Sequence, residues 1–320
     1  MRWWNSALGA LKSVAFCREG GVRAAWKLIL ACALYAMWAW AAARFLSMGF
    51  GALFDAWGLN AQTLSQAPGW AQALAAHYGK LISLISSAGV LALSWALMRV
   101  LASGRFERLR AADFARGALV GAAWVALGAG LFLLADSMRP YERGLTLHAD
   151  MLWMLAVYLL AALAEERFTR TLTMRVAALN ARPCWAYIAS CIVFLVVTGG
   201  YALGPLGAVN MLLFGLVCAR LSATGRAGAS VGLRFAWSWA GVSLFAFPGA
   251  DTGAQPCMQL YAVSEHWLTG GSDGIVCGVW TTLLLLLLAA WLFAPMLRRR
   301  RQAPSPASAN TDAKTPRKRP

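Results

Sequence analysis

Apolar runs of membrane-spanning length recur along almost the whole chain, and no other feature restricts its fold as strongly. They read Trp26–Phe50, Leu81–Met98, Gly117–Ala135, Met151–Arg167, Pro183–Gly204, Pro205–Ala219, Ser230–Phe247 and Gly274–Leu297. A hydrocarbon layer of about 30 Å takes roughly 20 apolar residues per helix, and in lipid only helices and closed barrels satisfy every backbone polar group. The pattern therefore predicts an all-α, polytopic transmembrane helical bundle of about eight spans. The composition agrees, with 60% hydrophobic residues against 13% charged and a mean hydropathy of +0.57. That is far from a water-soluble balance, and no polar domain interrupts the runs.

A formal charge of +16 raises the possibility of a nucleic-acid partner, but the placement of the cations argues against it. They gather beside the apolar runs, in alternate connections: Arg2, Lys12, Arg18 and Arg23; Arg99, Arg105, Arg108 and Arg110; Arg167, Arg170, Arg175 and Arg182; Arg220 and Arg226; Arg298 to Arg301. The other connections carry Asp55; Asp136, Glu142 and Asp150; Asp251, Glu265 and Asp273, with few cations to offset them. Cytoplasmic loops concentrate Lys and Arg, so this alternation predicts an even number of spans in the cell membrane with both termini cytoplasmic. The partners it implies are the lipid bilayer and a membrane-embedded peptide or protein, with no nucleic acid.

Residues 1–25 read as a polar cytoplasmic segment without a cleavable signal, and residues 26–150 as framing transmembrane helices. Residues 298–320 switch to Arg, Pro, Ser, Ala and Lys, which cannot bury a core, and read as a basic disordered cytoplasmic tail. Of seven cysteines, Cys32, Cys184, Cys191 and Cys218 fall in or beside helices as small apolar groups. Cys257 and Cys277 share the non-cytoplasmic side, where an oxidising compartment would permit a disulfide. His77, His148 and His266 are expected in loops on that same side, and the Leu283–Leu288 run is expected to face lipid.

Ionisable groups are costly inside a membrane, so a span that runs into charge is where chemistry is sought. The run from Met151 ends in Glu165-Glu166-Arg167-Phe168-Thr169-Arg170. On a helix Glu166 and Arg170 are four apart with the acid first, the favourable order for an ion pair, while Glu165 projects about 100° away. A partly desolvated glutamate beside a cation is a candidate general base for activating water; an ordinary salt bridge at the end of a span is the other reading of the same residues. Phosphate-binding loops, dinucleotide fingerprints and HExxH are absent from the sequence.

This EExxxR motif, with Gly232-Leu-Arg-Phe-Ala-Trp-Ser-Trp239, Phe245-Ala-Phe-Pro-Gly249 and Trp267-Leu-Thr-Gly-Gly271 behind it, resembles the CPBP family of intramembrane metalloproteases, which includes the type II CAAX prenyl endopeptidases and bacteriocin-processing enzymes. The resemblance covers residues 151–297, which it marks as a CPBP-like membrane core. It implies that Glu165, Glu166 and Arg170 form the retained catalytic motif. In the family, two later helices add histidines and an Asn or Asp that bind zinc or another divalent metal, or stabilise the oxyanion. Here Thr198 stands where the first histidine belongs, Arg234 where the second belongs and Ser238 in place of the Asn. Metal ligation by imidazole is lost with them. The resemblance also places Arg234 across from the glutamates, where an ion pair with Glu165 would leave a poorer base and a tighter packing.

Three functions follow. The leading one is a catalytically degenerate scaffold with a binding, regulatory or immunity-like role. The second is an active, divergent endopeptidase using Glu165 and Glu166. The third is a transporter-like protein whose charged cavity carries a solute or proton.

Overall fold

A chain dissolved in lipid turns large apolar side chains outward as well as inward, and this one does both. Trp40, Phe45 and Met48 near its beginning and Leu287 and Trp291 near its end are well over half exposed. The computed structural model describes residues 23–60, 63–141, 146–179, 183–248, 256–263 and 267–302. The N-terminal segment up to residue 22, the tail beyond residue 302, and Glu142, Arg182, Gly249, Asp251, Glu265 and His266 lie outside the described residues.

The architecture is an all-α bundle. Its helices are α1 (Ala24–Ala56), α2 (Gly69–Ala102), α3 (Ala111–Leu134), α4 (Asp150–Glu166), α5 (Thr173–Ala178), α6 (Pro183–Val197), α7 (Gly204–Ala223), α8 (Ala227–Trp239) and α9 (Val279–Gln302). A π-helical segment, Arg167–Leu172, joins α4 to α5 without a break, and a second, Ala240–Leu244, ends α8. Among the described residues five helices are long and apolar enough to cross a membrane alone: α1, α2, α3, α7 and the Val279–Met296 part of α9.

Several expected boundaries move. Helix α2 begins at Gly69 rather than Leu81, because Gln72, His77 and Lys80 stay helical despite their polarity. His77 is therefore a helical residue and not a loop residue. It lies against Lys80 and Asp150, and Lys80 in turn pairs with the Asp150 carboxylate at the start of α4. The acids of this end are thus compensated more than the sequence suggested. Asp136 is likewise held by Arg139 through contacts of 2.8 and 2.6 Å, and that guanidinium keeps its carboxyl below the usual carboxylate range. The Leu283–Leu288 run is not uniformly lipid-facing, since Leu285 is buried in the core beside Val217 and Phe214 while Leu287 stays exposed.

Two contacts fix the frame. The α3 and α8 helices meet through glycine on both sides: Gly117 and Gly121 of α3 against Ala229 and Leu233, and Gly228 and Gly232 of α8 against Arg110 and Phe114. Small residues four apart let helix backbones approach in lipid, where water exclusion no longer drives association. At the far end the short strands Met138–Pro140 and Leu260–Ala262 pair antiparallel, tying the exit of α3 to the segment after α8.

The start of α9 is closed by the preceding loop, since Val279 and Trp280 donate their N–H groups to the carbonyls of Trp267 and Leu268. Buried Asn210 of α7 reaches the same place, donating to Val276 O at 2.7 Å and Gly278 O at 3.1 Å and accepting from Thr282 at 2.7 Å. Asn210→Leu should lower stability by about 1–3 kcal/mol, the cost of stranding buried polar groups, read as an earlier thermal transition in detergent. Cys257 and Cys277 are free thiols, and Cys277 contacts the Leu203 carbonyl at 3.3 Å instead.

Candidate functional site

Helix α4 brings two adjacent carboxylates to the centre of the bundle, and the π-segment that follows decides what they meet. Widening the helix here buries Arg167, Phe168, Thr169 and Arg170 in succession, which an ordinary surface helix does not allow. Carbonyls displaced by the wider turn are taken up by hydroxyls: Thr169 donates to Glu165 O at 2.7 Å and Thr173 to Phe168 O at 2.9 Å.

Glu166 points into a closed region and is 2% exposed; Arg170 is fully buried, with its Nε 3.5 Å from Glu166 Oε2. The same carboxylate oxygen accepts a hydrogen bond from Ser230 of α8. Arg170 Nη1 donates to both the carbonyl and the hydroxyl of Ser190 on α6, at 3.0 and 3.1 Å, and Ser190 donates in turn to Thr169 O at 2.8 Å. Its guanidinium lies over the Phe194 ring at 4.2 Å. One acid, one base and two serines thus join α4, the π-segment, α6 and α8.

Glu165 faces another way, as the 100° offset requires, and meets Arg234 of α8. Arg234 Nε donates to Glu165 Oε2 at 2.8 Å, so the ion pair expected between them is present. The Arg234 guanidinium lies 5.6 Å from the same Phe194 ring, which therefore sits between two arginines. Tyr35 of α1 closes this side, near enough to feel the charges of Glu165 and Arg234 and with its ring 4.7 Å from Phe168.

Not every residue singled out in the sequence joins the cluster. Thr198 lies in the turn after α6, where its hydroxyl caps Phe194 O at 2.7 Å. Ser238 is half-buried one turn beyond Arg234. Ser190, Ser230 and Tyr35 are the members that sequence reasoning missed. Ser230 carried a usable signal, since it precedes Arg234 by four and so shares its face of α8. Ser190 carried none, because an isolated serine in an apolar helix has no distinguishing pattern.

Comparison of the chain with protein-family models, with curated proteins and with solved structures returns no match.

The donor set does not fit a zinc centre. A catalytic zinc takes three converging protein N, S or O ligands, and among the described residues no three His, Cys, Asp or Glu side chains converge. The two carboxylates are each faced by a guanidinium, whose charge would repel a second cation. What the arrangement can do is hold four elements in one register and exclude alternatives.

Proposed function

We propose that the chain is an eight-span protein of the cell membrane with both termini cytoplasmic. In this reading it is built like a CPBP-type intramembrane endopeptidase, with the glutamate site turned into a structural core. It binds or regulates a membrane-embedded peptide or protein and does not cleave it.

The observation that carries the reading is the pairing of both carboxylates, Glu165 with Arg234 at 2.8 Å and Glu166 with Arg170 at 3.5 Å. A general base has to reach a water aligned for attack, within hydrogen-bond distance. Here each carboxylate already has a guanidinium on its Oε2, and Glu166, 2% exposed, offers a water no open approach. Eight spans are supported by adding three interrupted elements to the five long helices. These are α4 continued through its π-segment into α5, α6 with the turn after it, and α8 with its own π-segment. The arginines at alternate ends support the orientation.

A cleavage assay on membrane-embedded peptides tests this directly. The unaltered protein is expected to give no product. Cleavage by the unaltered chain that is lost in Glu165→Ala would overturn the reading in favour of an active, divergent endopeptidase.

A further inference from the structure

A cavity of about 720 Å³ opens between α2, α4 and the 103–110 connection, and neither glutamate lines it. Its walls are apolar, chiefly Leu91, Trp95, Phe106 and Leu163, and the charge in its lining comes from Arg167. That side chain is 7% exposed. Its Nη2 donates to Glu107 O at 2.8 Å and its guanidinium lies over Phe106 at 4.9 Å, but its Nη1 has no hydrogen-bond partner. A buried, charged donor left unsatisfied is costly, and its removal of that cost is what a ligand would gain. Glu107, the acid whose charge Arg167 feels, is itself exposed. Arg99 does not line the cavity but neighbours it, its guanidinium 4.9 Å over the ring of the lining residue Trp95.

We infer that this groove holds one anionic phospholipid of the bilayer, with an acyl chain along Leu91, Trp95 and Leu163 and its phosphate on Arg167. The shape and the charge both favour that occupant. The groove is open and lined mostly by apolar side chains, which suits a chain already dissolved in lipid. Guanidinium groups bind phosphate through paired N–H donors, and cationic side chains at the cytoplasmic face attract anionic lipid. A zwitterionic lipid offers the same phosphate but adds an ammonium group that Arg99 would repel. The lipid site is independent of whether the glutamate cluster is catalytic.

The test uses the full chain in neutral detergent, titrated with phosphatidylglycerol, phosphatidylcholine or inorganic phosphate. Binding is followed by native mass spectrometry and the thermal transition. Phosphatidylglycerol is expected to bind as one retained molecule and to raise the transition, with phosphatidylcholine at least about tenfold weaker and inorganic phosphate without effect. Arg167→Gln should weaken phosphatidylglycerol by about tenfold or more, the loss of one charge-assisted contact, while Arg167→Lys retains part of the preference. Because Arg167 also holds the 103–110 connection, Leu91→Trp provides a second variant. It fills the groove, leaves the charge in place, and should abolish the retained lipid. Equal binding of the two lipids, or a preference that survives both Arg167→Gln and Leu91→Trp, would overturn the inference. So would stabilisation by inorganic phosphate alone, which would mark a free-anion site.

Discussion

Arg170→Met is expected to destabilise the protein by about 3–5 kcal/mol, the usual cost of breaking a buried ion pair from one side. Arg170 is fully buried, and removing it leaves the Glu166 carboxylate, 2% exposed, with only the Ser230 hydroxyl. It also removes the Arg170 donor from the carbonyl and hydroxyl of Ser190 and the cation from the face of Phe194. Arg170→Lys should recover only part of the loss, because an ammonium cannot reach Glu166 and Ser190 together or stack on the ring. The double variant Glu166→Gln, Arg170→Met should be markedly more stable than Arg170→Met alone, since no unpaired charge remains. Detergent-solubilised protein, followed through thermal or denaturant unfolding, gives all three values on one scale.

Gly117→Ala and Gly232→Ala are expected to cost about 3 kcal/mol or more each, at or beyond the upper end of ordinary overpacking. A methyl carbon at Gly117 would lie 2.0 Å from Ala229 O, and one at Gly232 would lie 2.1 Å from Phe114 O. The opposing atoms are backbone and have no rotamer to change. Relief therefore requires α3 and α8 to separate along the contact. Gly130, on the same α3 but with open space at its Cβ, is the internal control. Gly130→Ala should be neutral or slightly stabilising, as alanine is the better helix former. The effect should also spread to the site. Positions two apart on a helix lie about 200° from each other, so Gly228 and Gly232 face α3 while Ser230 and Arg234 face α4. A displaced α8 draws both of the latter away from the glutamates.

Membrane class and helical content were legible because lipid leaves so few alternatives, and the apolar runs were long. The acid-first spacing of Glu166 and Arg170 was legible for the same kind of reason, since helix geometry brings i and i+4 together. Beyond that the sequence was less informative. The π-segment could not be read from Arg167–Leu172, because its burial on all sides depends on α2, α6 and α7 closing around it. The Leu81–Met98 run marks the span inside α2 but not the helix's start, since His77 and Lys80 remain helical and are compensated by Asp150. The paired glycines, Gly117 with Gly121 and Gly228 with Gly232, did stand in the sequence at the spacing that close helix contacts use. Their partner helices, however, are far apart in the chain, and the spacing alone does not say which helix a glycine face meets.

In the proposed function the carboxylate of Glu165 serves packing through Arg234 and not chemistry. A double-mutant cycle on stability, using Glu165→Gln, Arg234→Met and the pair together, measures that directly. Both side chains are largely shielded, at 23% and 17% exposure, so the pair should not be screened away. Each single change should destabilise, and the two should be coupled by about 1–3 kcal/mol. Residues kept for catalysis commonly cost stability, so their replacement tends to stabilise. A Glu165→Gln protein more stable than the parent, with coupling to Arg234 near zero, would contradict the account.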